Sequence, residues 1–415
     1  MDLLGMKQLI DKLVVFAKLR EDEVTKCLLN AHTERQFSEF LLLLVQQSEE
    51  YGLSGDIFKQ HIIRVLLTDE NVFSIACESG KMTEEKSLYK LAEKEVKLVV
   101  DLLNYNFTEA AVYKQLLPYV PVVSQHSKII EICEKEMTPQ KFLQTLVESY
   151  KANGCGVICG NYMFSFVNGE LRPAKRPAVV NFDDIIGCER QKRLICENIE
   201  MFISGGTASN MLLTGPKGTG KSSCVKALVS EYGGSGLCIV AVTREQYAEL
   251  HELLHALSKR GKKFVVMLDD LSFDLSLENA ETGYKYLKSI LEGGVEGTPQ
   301  NVLFCATSNR RALVTENWSD KQGTMIENGE IHASDAINEK QSLKDRFGLV
   351  VTFAKPTPNE FFEITKQLLA KRGVSLPDEH IKLHANEWEL GQNGLSGRAA
   401  RNLVDAIMRE LKCEG

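Results

Sequence analysis

Two hydrophobic rhythms divide the chain. Up to about residue 150, apolar residues recur three and four positions apart, as at Leu88, Ala92, Val96, Val99 and Leu103. This spacing predicts amphipathic helices, and QFSEFLLLLVQ (36–46) and PQKFLQTLVESY (139–150) follow it. Gly52, Gly55, Pro118 and Pro121 punctuate the region. Residues 1–152 are expected to form a mostly α-helical accessory domain, with no internal repeat and no task that the sequence alone assigns. From 153 to 178 the pattern alternates around Asn168-Gly169, a hairpin signal, and runs into Lys175-Arg176-Pro177; this stretch reads as a β-hairpin and linker.

Beyond residue 180 the rhythm becomes strand, loop, helix. MLLT (211–214), LCIVAV (237–242), KFVVML (263–268), NVLFCAT (301–307) and LVVTF (349–353) are apolar without alternation. Such runs fit strands of a parallel sheet buried on both faces, joined by crossover helices. The expected fold class is α/β, an αβα parallel sheet over 179–354. After Pro356 the strands stop, and 358–372, 378–389 and 396–411 predict a helical end domain over 355–415.

Composition narrows the class. The 415 residues carry a net charge of -7, so no global positive field points to nucleic acid or an anionic membrane, although a local basic patch would still fit. The longest apolar run, FLLLLV (40–45), is too short to span a bilayer. The first residues lack an export signal pattern, and 11 scattered cysteines suit reduced thiols. A cytoplasmic protein is expected. Cys155 and Cys159 are spaced closely, but with no second pair or neighbouring histidine they read as small buried side chains rather than a metal site.

The chemistry concentrates in four segments. Gly215-Pro216-Lys217-Gly218-Thr219-Gly220-Lys221-Ser222 matches G-x4-G-K-[ST], after an apolar strand and before a helical pattern, and with Ser223 these residues would hold a nucleotide. Glycines let the loop wrap phosphate oxygens, and the helix N-terminus presents free N–H groups. Lys221 would reach the β- and γ-phosphates and Ser222 would offer its hydroxyl to Mg²⁺. KFVVML ends in Asp269-Asp270, at the end of a strand where ligands sit in such sheets. Asp269 would hold Mg²⁺, directly or through water, and Asp270 would orient or deprotonate an attacking water; the alternative is a helix cap. Asn309, after NVLFCATS, would hydrogen-bond a γ-phosphate or that water, or else form an Asx turn. Arg346 precedes the last strand, either as a surface residue or as a finger reaching a neighbouring subunit. Ser396 is placed to cap a helix on which Arg398 and Arg401 share a face.

These parts, in this order, resemble the AAA+ ATPases from about Asn181 to Gly415. By that resemblance GPKGTGKS is Walker A, FVVMLDD is Walker B, Asn309 is sensor 1, Arg346 the arginine finger and Arg398 sensor 2. NFDDIIGCERQK resembles the segment near the adenine, with Phe182, Ile185, Ile186 and Gly187, and 354–415 resembles the helical lid. DDLSF, LEGG, ATSNRR, EIH and KDRFGL are similar to a bacterial family of predicted AAA+ ATPases known only as a domain of unknown function. The resemblance implies binding of ATP or ADP with Mg²⁺, hydrolysis that drives work on a macromolecular partner of unknown identity, and assembly into a ring or filament of identical subunits. Two departures stand out. The second Walker B carboxylate is Asp270, one methylene shorter than the usual glutamate, which raises a nucleotide-gated switch with little hydrolysis as an alternative. No aromatic pore-loop motif follows LCIVAV, Tyr247 lying within helical spacing.

A rival string, His251-Glu252-Leu253-Leu254-His255, has zinc-protease spacing. The third ligand is the difficulty: Glu278 and Glu281 are candidates only across another strand. Two histidines on a solvated helix face is the preferred reading. The glycine-rich loop 292–300 would face a central channel in a ring or else be a simple helix exit, and the insertion 312–341, with Trp318 and His332, receives no role.

Overall fold

The structure is a computed structural model and describes residues 3–105, 113–114, 116–122, 138–271, 287–291, 297–309, 346–391 and 394–413. The chain divides into two compact units. One comprises Met1–Asn161 together with Lys259–Lys262; the other comprises Tyr162–Ser258 and Lys263–Gly415.

The first unit is helical: α1 (Leu3–Ile10), α2 (Lys18–Glu21), α3 (Glu23–Leu29), α4 (Glu34–Tyr51), α5 (Ile57–Leu67), α6 (Val72–Glu78), α7 (Ser87–Leu103) and α8 (Pro139–Asn153). Local chemistry sets their ends. Thr33 opens α4 through a capping box with Gln36, and Gly52 closes it at φ +65°, where a side chain would be strained. Asp56 and Asn71 cap α5 and α6. The apolar stripe read from the sequence faces the core: Ala92, Val96, Val99 and Leu103 are buried and Leu88 packs at the margin. Phe73 meets Phe16 and Tyr150 edge to face, at 6.1 and 6.4 Å between centroids. The buried Tyr150 hydroxyl donates to the Leu66 carbonyl at 2.8 Å. Glu95 is buried as well, and its carboxylate accepts the N–H groups of Val14, Val15 and Phe16 at 2.9, 2.9 and 3.2 Å, where the chain turns between α1 and α2.

Lys259–Lys262 enters this unit through two buried cations, Arg260 and Lys262. Arg260 is 7% exposed and Glu78, at the end of α6, 3%. The guanidinium grips Glu78 with two bonds of 2.6 and 3.0 Å, pairs with Glu70 at 2.9 Å, and donates to the Cys155 carbonyl at 2.7 Å. Glu78 also accepts the N–H groups of Cys155 and Gly261 at 3.0 and 2.9 Å. Burial alone would raise the Glu78 pKa. The bonds and charge of Arg260, with those two N–H groups, outweigh it and hold the carboxyl below its ordinary value of 4.5. A Cβ on Gly261 would stand 2.2 Å from the Glu78 carbonyl oxygen, so glycine is required. Lys262 donates to the carbonyls of Lys151 and Ala152, at 2.9 and 2.6 Å, in the last turn of α8. Cys155 therefore sits in an ion-pair node, buried as the sequence suggested.

The second unit is built on a seven-stranded sheet. Its strands are β1 (Met163–Val167), β2 (Glu170–Pro173), β3 (Met211–Thr214), β4 (Leu237–Val242), β5 (Lys263–Leu268), β6 (Val302–Ser308) and β7 (Leu349–Thr352), in the spatial order β2-β1-β4-β5-β6-β3-β7. All pairings are parallel except β1 with β2. The five expected strands form, although β7, at the sheet edge, is exposed at Val350 and Thr352 rather than buried on both faces; the fold class is the one expected: a parallel αβα sheet with a helical N-terminal region and a helical C-terminal region. The hairpin also forms, with Asn168 and Gly169 at φ +54° and +79° as a two-residue turn requires. β1 pairs with β4 from Met163 to Ser165, so the hairpin extends the sheet.

Helices α9 (Glu189–Ile203), α10 (Lys221–Tyr232) and α11 (Leu250–Ser258) flank the sheet. Ile195, Ile199 and Phe202 of α9 and Cys224, Val225 and Leu228 of α10 pack with Met211, Leu213, Ile239, Val265, Met267 and Cys305. These strand residues alternate along each strand and so share one face. Leu253 and Leu257 of α11, which touches β6, are fully buried. α12 (Pro358–Lys371), α13 (Asp378–Gly391) and α14 (Gly397–Cys413) form a small bundle around Phe361, Leu369, Ile381, Leu403 and Val404. Among the described residues, no helix is long and apolar enough to cross a membrane.

Candidate functional site

Strand β3 ends at Thr214, and the chain turns through residues 215–220 into the first residue of α10, Lys221. Gly215 adopts φ +144°, and a Cβ there would lie 2.2 Å from the Phe353 carbonyl oxygen. At Gly218, φ +80°, a Cβ would meet the Ser396 hydroxyl at 2.9 Å. These two glycines let the loop pass close to the exit of β7 and to the start of α14.

Lys221 is 6% exposed. Its ammonium donates to the carbonyls of Gly215 and Pro216, both at 2.8 Å, and to Asn309 Oδ1 at 3.1 Å. Burial lowers its pKa below the ordinary 10.5, against the opposing pull of Asp269 and Asp270. The Thr219 hydroxyl also donates to the Pro216 carbonyl, at 3.0 Å. Gly215 and Pro216 thus act through their carbonyls.

Adjacency in the sheet supplies the rest. β5 lies between β4 and β6, so Asp269 and Asp270 emerge beside Thr307 and Asn309. Asp269 Oδ1 accepts the hydroxyls of Ser222 and Thr307, each at 2.6 Å. Asp270 Oδ1 accepts from the Asn309 amide. Asp270 sits at φ +56°, in the left-handed region, and its carbonyl accepts from Arg244 at 2.5 Å. A cavity of about 270 Å³ gathers Lys217, Lys221, Ser222, Asp269, Asp270, Asn309 and Arg398.

A second cavity, of about 770 Å³, is lined by Ile185, Ile186, Gly187, Thr219, Arg398 and residues of α12; Gly218, Gly220, Ser223 and Arg398 border both. Arg398 donates its N–H to the Gly218 carbonyl at 3.3 Å, and Ser396 caps α14 through the Ala399 N–H at 3.1 Å. Lys371 of α12 and Arg401 of α14 converge on the turn Phe182–Asp184: Lys371 pairs with Asp184 at 3.5 Å and Arg401 donates to its carbonyl at 3.2 Å. The Asn181 N–H, with Lys371 and Arg401, holds the Asp184 carboxyl below its usual range.

Arg346 stands apart. It is exposed and precedes β7, which runs parallel to β3, so it lies at the sheet end opposite the loop 215–220. Tyr247 is 3% exposed, within the turn Arg244–Glu249. His251 and His255 are exposed on α11, and among the described residues no group of three His, Cys, Asp or Glu could share a metal. Glu278, Glu281, the loop 292–296 and the insertion 312–341 lie outside the described residues. The sequence did not assign roles to Thr307, Arg244, Lys371 or Asp184. Only for Thr307 was there a signal, a polar residue closing an apolar strand.

The family described as "Protein of unknown function (DUF815)" matches residues 159–411, more than half of the chain. The replication factor C large subunit of Methanococcus vannielii is 27% identical over 181 residues, 41% of this chain and 34% of its own length. The chain thus spans about a third of that curated relative. Among solved structures, the Thermotoga maritima RuvB Holliday junction branch migration motor aligns at TM-score 0.39 and 18% identity, over 56% of this chain and 65% of its own. The FIGL-1 AAA domain in complex with ADP aligns at TM-score 0.38 and 19% identity, over 55% and 72%.

Proposed function

The chain belongs to the DUF815 family, and from that premise we propose that it is a cytoplasmic AAA+ ATPase that hydrolyses Mg-ATP to remodel a macromolecular partner. The observation that carries this reading is the meeting of Lys221, Ser222, Asp269, Asp270 and Asn309 around one cavity beneath a glycine loop. The loop N–H groups and the Lys221 ammonium bind the β- and γ-phosphates. Ser222 and Asp269 offer an all-oxygen donor set, as Mg²⁺ demands. When bound, the ion neutralises phosphate charge that develops during transfer. Asp270 takes the proton of the attacking water, and Asn309 orients that water or the γ-phosphate. Ile185, Ile186 and Gly187 line the larger cavity, which takes the base, and Arg398 brings the helical bundle to the phosphates.

Asp270→Asn tests hydrolysis. It should keep Mg-ATP affinity while phosphate release falls roughly 10²–10⁴-fold, the usual worth of a general base. Turnover equal to wild type would remove Asp270 from the mechanism. A wild type that holds ATP without turnover would favour the nucleotide-gated switch instead, a reading that the short Asp270 side chain supports.

Arg346 lies too far round the sheet to serve its own phosphate loop, so the proposed finger acts on a neighbour in a ring or filament. Mass measured with and without nucleotide should show assembly, and Arg346→Ala should lower turnover in the assembled state by roughly 10³-fold or more. A strict monomer that hydrolyses ATP would exclude the finger.

A further inference from the structure

Thr307 is one of two buried hydroxyl residues at the end of its strand, with Ser308. β6 is buried along its whole length, and Thr307 is 2% exposed. A buried hydroxyl is costly unless it is hydrogen-bonded, and here both of its roles are used. It donates to Asp269 Oδ1 at 2.6 Å and accepts the Asp270 N–H at 3.0 Å. The Thr307 carbonyl then accepts the Leu271 N–H at 2.6 Å. One residue of β6 therefore bonds three consecutive residues where β5 ends.

Those three residues include the backbone outlier of the site. Asp270 is one of three described non-glycine residues at positive φ. Such a conformation persists where the surroundings over-determine it, and the bonds on either side of the Asp270 peptide supply that constraint. The left-handed turn separates the two acids. Asp269 faces Ser222, while Asp270 faces Asn309 and Lys221. Without the turn, successive side chains of an extended strand would point to opposite sides.

We propose that Thr307 is a positioning residue: its hydroxyl orients Asp269 toward the divalent ion and holds the left-handed turn that brings the short Asp270 side chain into the phosphate cavity. This rests on the reading of the site as a Mg-nucleotide site. Bonds of this kind, from a group behind a metal ligand, orient the ligand and tune its affinity.

The test is equilibrium binding of a fluorescent ADP analogue to the full chain, titrated with Mg²⁺ and repeated in EDTA. Thr307→Val keeps the shape and removes the hydroxyl. It should raise the Mg²⁺ concentration for half-maximal effect by roughly 10–100-fold, with affinity in EDTA unchanged. Thr307→Ser should restore the wild-type Mg²⁺ midpoint. Should the valine variant fail to fold, Thr307→Ala carries the same expectation. A valine or alanine variant with the wild-type midpoint overturns the proposal, as does equal loss of affinity with and without Mg²⁺. A wild type with no Mg²⁺-dependent affinity overturns the nucleotide reading itself, a separate failure.

Discussion

Replacing Lys221 by alanine should cost the protein its grip on triphosphate, with an affinity loss of about 2–5 kcal/mol, the range for truncating a buried hydrogen-bonded charge. The ammonium is buried and shared among Gly215, Pro216 and Asn309. Alanine removes the cation and also the bonds that tie the start of the loop to α10. Lys221→Arg should not rescue it, because a planar guanidinium cannot reproduce a point charge inside a close-fitting loop. Titration with a fluorescent ATP analogue in Mg²⁺ reads the effect. Affinity within threefold of wild type would mean that the loop binds no phosphate.

Arg260→Met should destabilise the helical unit by about 3–5 kcal/mol, because it strands Glu78 as an uncompensated buried charge. Often an apolar replacement of both partners recovers such a loss. Here it should not. Glu78 also accepts the N–H groups of Cys155 and Gly261, so Arg260→Met/Glu78→Leu leaves the buried Cys155 donor unpaired, at about 1–3 kcal/mol, while the exposed Gly261 can turn to water. The same node sets an acid limit. The Glu78 pKa is depressed on folding, so its contribution is complete above 4.5 and is lost as pH falls below that value through the folded pKa. Thermal melts at pH 7 and pH 4 check both statements. A double variant as stable as wild type would show that the Cys155 donor carries no weight.

What the sequence made legible is what local chemistry determines. The core strands were readable because burial on both faces leaves an unbroken apolar run, as in KFVVML and NVLFCAT. The loop 215–220 was readable because an apolar strand, a glycine-rich turn and a helix start follow one another along the chain, although the close approaches that need Gly215 and Gly218 are to the distant Phe353 and Ser396. Long-range pairing was not. Nothing in YMFSFV announces that it will lie beside Ile239–Ala241. Nor does anything local announce that Arg260 is among the most buried charges described, paired with Glu78, which lies 182 residues away. Thr307 was visible only as one polar residue among others. Its importance comes from the adjacency of β5 and β6, which no spacing encodes.

The hairpin ahead of the core also guards solubility. β1 satisfies the outer edge of β4, whose sequence LCIVAV is a template for intermolecular sheet growth if left bare. β2 ends the sheet with four residues that include an arginine and a proline, a poor surface for further strands. A version of the sheet unit begun after Pro173 should keep Lys221, Ser222, Asp269, Asp270 and Asn309 and still precipitate.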